Sequence, residues 1–319
     1  MTTTSETSPP PAPAGTRVTR VAVVAHRRKT LGGGLDELRR QITAGGVEEL
    51  LWYEVPKSRK APKRARRAVK EGAELVFVWG GDGMVQRCVD ALAGSNTPVA
   101  IVPAGTANLF AANLGIPADL AEAVRIGLHG ARRRLDLGRL NGEHFAVMAG
   151  AGFDGEMIAE ADRDLKDRIG RLAYVWTGLR HVDDRPVRAK IRVDGTPWFD
   201  GDASCVLLGN VGRIQGGIRA FDDARPDDGW LDVGVTTAEG AGQWARALGR
   251  LALGRSDRSP FVRMTRAKKI RVDLDAPMMY ELDGGAREPA RKLKARVVPG
   301  AITVCVPEPG ASEPGEDAR

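Results

Sequence analysis

The sequence predicts an α/β half followed by a mainly β half, and three observations carry that reading. Short β-branched or apolar runs alternate with helix-like segments up to about Arg134, the pattern of a parallel sheet flanked by helices. Within that half, Leu75-Val76-Phe77-Val78-Trp79 is a continuous apolar run, as expected for a strand buried on both faces. Beyond Arg134 strand-like runs follow one another with few helical interruptions.

Taken in order, Val18 to Ala25 reads as the first strand, Leu35 to Ala44 as a helix, Leu50 to Val55 as the second strand and Ala61 to Glu71 as a helix. The buried run from Leu75 comes next. It turns through Gly80-Gly81-Asp82-Gly83 into a helix over Met84 to Leu92, and Val99 to Val102 is a fourth strand, an order that fits a doubly wound layer. In the second half the predicted strands are Phe145 to Met148, Ala189 to Val193, Ser204 to Leu208, Leu231 to Val235, Ile270 to Val272, Met279 to Leu282 and Ala301 to Val306, and Asp194-Gly195 reads as a hairpin turn. Helices are expected over Lys166 to Arg180 and Ala241 to Leu253. The first carries an apolar stripe of Ile169, Leu172, Ala173, Trp176 and Leu179, suited to a core or to a lipid pocket.

The chain has 319 residues, more than one core usually organises. Residues 1–15 and the closing PEPGASEPGEDAR are too poor in apolar side chains to offset the entropy of ordering, so both read as tails. The expected division is a tail over 1–15, an α/β domain over 16–134, a second, mainly β domain over 135–298, a segment near 299–307 that returns to the first, and a tail over 308–319. No apolar run approaches the roughly 20 residues of a membrane-spanning helix, and no secretory signal is visible, so a cytoplasmic protein is expected. Cys88, Cys205 and Cys305 are widely separated, without metal-ligand spacing, and read as small buried residues. A formal charge of +7 favours acidic partners without choosing among them.

Chemistry concentrates in two loops. A buried strand running through Gly80, Gly81, Asp82 and Gly83 into a helix brings main-chain amides and a helix N-terminus together, a phosphate-holding arrangement. Asp82 is the one charge in that loop, and a carboxylate beside phosphates calls for Mg²⁺ between them. Val102-Pro103-Ala104-Gly105-Thr106-Ala107-Asn108 repeats the design after the next strand and adds a hydroxyl and a carboxamide.

VWGGDGMVQRCVDAL followed by VPAGTANLFAANLGIP resembles the catalytic domain shared by diacylglycerol kinases, sphingosine kinases and bacterial lipid kinases. FDDARPDDGWLDVGV and YELDGG resemble that family's Asp-Gly-x-Leu-Asp segment and late Asp-Gly motif. The resemblance implies a nucleotide domain like those of phosphofructokinases and NAD kinases, then a β-sandwich domain. It implies ATP and Mg²⁺ as cofactors and a lipid hydroxyl, of diacylglycerol or a related lipid, as acceptor. It assigns Asp283 as general base, Asp82 to Mg-ATP, and Asp228 to a structural Mg²⁺. From local residues alone, Asp283 reads equally as a turn residue, and Asp228 reads more readily as one, because Asp-Asp-Gly is common turn chemistry.

Four departures from the family pattern stand out. Met84 replaces a Thr, Leu109 an Asp found in many bacterial members, and Gly285 a Glu. The early Asn-Pro-x-Ser-Gly phosphate segment appears as Ala25 to Thr30, where Lys29 and Thr30 offer a cation and a hydroxyl. A catalytically impaired nucleotide-binding regulator and an NAD kinase, which shares the GGDG loop, are the alternatives.

Between Lys57 and Lys70 eight residues are basic: Lys57, Arg59, Lys60, Lys63, Arg64, Arg66, Arg67 and Lys70. They read as a solvated helix face or as a docking segment for an anionic membrane surface, to which the protein would attach peripherally. The segment lacks interleaved aromatics, so no nucleic-acid partner is expected. A homodimer is open.

Overall fold

The computed structural model describes residues 18–152, 186–213, 219–221, 223–239, 242–244, 246–247, 250 and 259–308. The predicted Lys166 to Arg180 helix lies outside these, as do much of the Ala241 to Leu253 helix and nearly all of both tails.

Four parallel strands order the first half: β1 (Arg20–His26), β2 (Glu49–Val55), β3 (Leu75–Gly80) and β4 (Val99–Pro103), in the spatial sequence β4-β3-β1-β2. Every residue of β3 and β4 is buried, as the uninterrupted apolar runs predict. Helices α1 (Gly34–Ala44) and α5 (Leu120–His129) contact each other, and α2 (Ala61–Lys70) contacts α3 (Asp82–Leu92), so two helix pairs flank the sheet. Between α3 and α5 stands the single turn α4 (Leu109–Asn113). α5 has a legible start, because the Asp119 carboxylate accepts the Glu122 N–H as an N-cap.

The second half is strand after strand: β5 (Ala131–Leu140), β6 (Glu143–Phe145), β7 (Met148–Ala151), β8 (Val187–Val193), β9 (Thr196–Ala203), β10 (Cys205–Gly209), β11 (Leu231–Thr236), β12 (Val262–Ala267), β13 (Lys269–Leu282) and β14 (Gly285–Val306). Three two-residue turns at positive φ close hairpins here: Asn141-Gly142, Asp194-Gly195 and Asp283-Gly284. β14 runs back to the first half and pairs parallel with β4 through Val304, so all fourteen strands among the described residues belong to one sheet.

Two buried clusters sit on this sheet. The first joins the parallel strands and their helices to Leu135, Leu137, Ile302, Val304 and Cys305. In the second, β7, β10 and β11 pack with β5, β8, β13 and β14, around Phe145, Ile191, Leu208, Val233, Val272 and Leu293. All three cysteines are free and buried.

Two strand expectations change. Phe145 to Met148 is not one strand, because the main-chain N–H groups of Ala146, Val147 and Met148 turn toward a carboxylate, which separates β6 from β7. Ile270 to Val272 and Met279 to Leu282 are parts of one strand, β13. Its pairing with β14 shifts between Asp273 and Met278, where Pro277 has no N–H to give.

Candidate active site

The two glycine loops leave the carboxyl ends of neighbouring strands and touch. Ala104 N donates to Gly80 O at 3.0 Å, and a Cβ on Gly105 would stand 2.3 Å from Gly81 Cα. Only glycine allows this approach. Asn108, at φ 50°, closes its loop on itself. Its Oδ1 accepts Gly105 N at 2.9 Å, and its Nδ2 donates to Pro103 O and Gly105 O. The carboxamide thus shapes the loop rather than reaching outward, while Thr106 is exposed on it.

Asp82 joins the loops. Its Oδ2 accepts Asn108 N at 2.9 Å and its Oδ1 accepts Leu109 N at 2.6 Å, so one carboxylate at the start of α3 also caps α4. Burial pushes its pKa up, against these main-chain bonds. Met84 is 1% exposed and packs beneath Gly80, so the residue at this position serves the core and not the phosphate loop. Lys29 and Thr30 follow β1 on the same edge, and Lys29 O accepts the Trp79 indole N–H at 3.0 Å.

Asp283 arrives from the far half of the chain. It lies in the hairpin between β13 and β14, at φ 47°, yet is only 6% exposed. Its Oδ1 accepts Val147 N and Met148 N at 2.9 Å each, and its Oδ2 accepts Ala146 N at 2.8 Å. Burial raises its pKa to about 6 despite these bonds, and the neighbouring charge of Asp82 pushes the same way. Asp82 and Asp283, 201 residues apart in sequence, therefore share one electrostatic site.

Sequence reasoning missed the groups that hold Asp283 in place. Arg287 forms a two-pronged ion pair with Glu143 at 2.9 and 2.8 Å and caps Gly285 O at 2.8 Å. The Glu143 bonds raise its pKa first, and the Asp283 charge adds to this. A Cβ at Gly285 would meet Arg287 Nη1 at 3.0 Å. On the other side α3 grips β6, for Gln86 Nε2 donates to His144 O at 2.7 Å and Asp90 Oδ1 accepts His144 N at 2.8 Å. For Gln86 and Asp90 the signal was present only as polar residues on α3, whereas Glu143 and Arg287 stand on β6 and β14.

Asp228 lies apart from this constellation. It is ion-paired to Arg266, whose Nε is also 3.7 Å from Asp232 Oδ2. Burial raises Asp232 to about 6; Arg266 opposes this, while Asp228 and Asp223 add to it. Among the described residues no group of three or more His, Cys, Asp or Glu side chains is arranged to hold a metal ion.

Two adjoining glycine loops on a doubly wound sheet, carried in one chain with a β-sandwich-like half, define the class of kinases built on this plan. Residues 33–140 match the diacylglycerol kinase catalytic domain and residues 147–306 the YegS C-terminal NAD kinase beta sandwich-like domain. The chain belongs to the diacylglycerol kinase family and is a lipid kinase of that type. It is 35% identical to the protein named "Probable lipid kinase YegS-like" in Pseudomonas aeruginosa over 76% of this chain and 81% of that one. It is 30% identical to a diacylglycerol kinase of Mycobacterium tuberculosis over 76% and 80%. Among solved structures, a diacylglycerol kinase from Bacillus anthracis superposes with a TM-score of 0.71 at 22% identity, over 92% of this chain and 98% of that one. Yeast NADH kinase is a more distant neighbour in fold, with a TM-score of 0.51 at 11% identity over 93% and 85%.

Proposed function

We propose that the protein transfers the γ-phosphoryl group of ATP to the hydroxyl of diacylglycerol or a related lipid, with Asp283 as general base. The observation that carries this is the pair Asp82 and Asp283, one in the phosphate loops and one from the β half, close enough for the charge of one to raise the pKa of the other. Phosphoryl transfer asks a protein mainly for positioning, charge neutralisation and an acceptor for one proton.

The glycine loops fit a phosphate group, because they set the N-terminal end of α3 beside a second loop, at an approach that a Cβ on Gly105 would push apart. Gly80 to Gly83, Gly105 and Thr106 would hold the phosphates, with Lys29 and Thr30 on the same edge, and Asn108 holding the loop in shape. Magnesium, carried in with ATP, would neutralise phosphate charge there. Asp82 fits that ion as a carboxylate already oriented by two main-chain bonds. Asp228 fits a metal poorly, since Arg266 occupies its carboxylate. Asp283 Oδ2 accepts one bond where Oδ1 accepts two, so Oδ2 keeps the lone pair for the acceptor's proton.

An apolar acceptor is supported by Met279, a large hydrophobic side chain 55% exposed on the strand that leads to Asp283. For membrane docking, Lys57, Arg59, Lys60 and Lys63 are exposed around the carboxyl edge of the parallel sheet, where the glycine loops stand. Arg64 and Arg67 lie instead over the Tyr53 ring. Among the described residues no helix is long and apolar enough to cross a membrane. The two buried clusters support a division into a nucleotide domain and a lipid domain within β5, with the end of β14 returning to the first.

The test is incubation with labelled ATP and a total lipid extract, followed by identification of the labelled product. A labelled phospholipid is expected. Labelled NADP on addition of NAD, with no labelled lipid, would reverse the assignment.

A further inference from the structure

β5, β14, β13 and β8 lie side by side, and their registers stack cations directly opposite one another. Arg139 faces Arg296, which faces Lys269. One row further, Lys294 faces Arg271, which faces Arg192. Opposed residues of antiparallel strands share a face, as do residues two apart on one strand, so all six project from the same side. That side is solvent, because the alternating residues Ile191, Ile270, Val272, Leu293 and Ala295 are buried in the second core. The six cations line a groove of about 640 Å³ bounded by the Asn141-Gly142 and Asp194-Gly195 turns, and among the described residues no acidic side chain lines it.

Like charges placed opposite each other across strands are destabilising, and the protein supplies little to offset them. Asp273 pairs with Arg271 at 2.8 and 3.0 Å, and Lys292 and Arg192 also draw on its charge. Asp194 accepts the main-chain N–H groups of Lys268 and Lys269, and Asp200 pairs with Arg188. Lys269 opens β13, fourteen residues before Asp283, a strand path of roughly 46 Å at about 3.3 Å per residue, so the groove is separate from the glycine loops.

We propose that this groove is a second anion site, built for a multiply charged phosphate group. Arginine forks suit phosphate oxygens, and several cations converging on one face favour a ligand with clustered negative charge. Among the described residues no aromatic side chain lines the groove, so a nucleobase would find nothing there to stack on. Such a phosphate group belongs either to a lipid phosphomonoester in a bilayer or to a free polyphosphate.

The test compares the full chain with Lys269→Glu/Lys294→Glu and with the milder Lys269→Gln/Lys294→Gln. A control, Arg246→Glu/Arg263→Glu, makes the same charge change outside the groove. Inorganic tripolyphosphate is titrated by calorimetry, and phosphatidylcholine vesicles containing a lipid phosphomonoester are co-sedimented. The groove variant is expected to bind at least one probe tenfold more weakly or worse, the Gln pair is expected to lie between it and the parent, and the control is expected to change little. Loss confined to vesicles names the lipid source, and loss confined to tripolyphosphate the free one. Without ligand, the groove variant is expected to melt no lower than the parent, since it removes like-charge pairs. Equal loss in groove and control variants, or no loss with either probe, overturns the proposal.

Discussion

Asp283→Asn separates the two tasks assigned to that carboxylate. As an anchor, Asp283 accepts three main-chain N–H groups. The asparagine carbonyl can keep the two held by Oδ1, but its NH₂ then faces the Ala146 N–H, donor against donor. One buried donor left unsatisfied costs about 1–3 kcal/mol. Asp283→Ala orphans all three, so its cost is larger. As a general base the carboxylate contributes typically 10²–10⁴-fold. Asp283→Asn is therefore expected to unfold at a lower urea midpoint by an amount matching about 1–3 kcal/mol, yet remain folded, and to lose at least 10²-fold in kcat with saturating ATP and lipid. The pH profile gives an independent readout. A base must be ionised, so kcat/KM of the parent enzyme is expected to fall as pH drops through about 6, and that limb is expected to vanish in the residual activity of the Asn variant. For stability the sign is opposite. The folded pKa is raised above the unfolded value near 3.9, so stability is fully present below about pH 4 and is lost as pH rises through about 6. A folded Asn variant that keeps its kcat within tenfold would falsify the base assignment, and equal urea midpoints for Asn and Ala would refute the anchor.

Three further outcomes follow from the geometry. Gly105→Ala drives a Cβ to 2.3 Å from Gly81 Cα and is expected to weaken binding of a fluorescent ATP analogue at least tenfold, whereas Gly83→Ala, with nothing within 4 Å, is expected to bind nearly as the parent does. Asp82→Ala leaves the Asn108 and Leu109 N–H groups without their acceptor, so both ATP-analogue affinity and the denaturation midpoint are expected to fall, the latter by about 1–3 kcal/mol per buried donor. Arg266→Met removes the cation that opposes the rise of Asp232, so carbon-detected titration is expected to show the Asp232 carboxyl above about 6, with Tm lower at pH 8 than at pH 5 by a wider margin than in the parent.

Periodicity was enough for the parallel strands, because a strand buried on both faces must be apolar throughout, as β3 and β4 are. It failed at β5, where Arg132, Arg133 and Arg134 follow Ala131, and at β9, whose sequence mixes Pro197 with Asp200 and Asp202. Those strands are held by pairing with β14 and β8, partners the local sequence does not display. β12 was missed for a like reason, since three of its six residues are polar and among the described residues it pairs only along β11.

By itself the sequence determined the α/β half, the two glycine loops at neighbouring strand ends, and the resemblance to lipid kinases, because each depends on residues close together in the chain or on motifs in order. Only the tertiary structure decided which acids meet. Asp283 and Asp228 look alike as Asp-Gly turns, yet one is buried under three main-chain N–H groups 135 to 137 residues away and feels Asp82, while the other is paired to Arg266. Burial and long-range charge are set by what packs around a turn, and a turn sequence does not contain its surroundings.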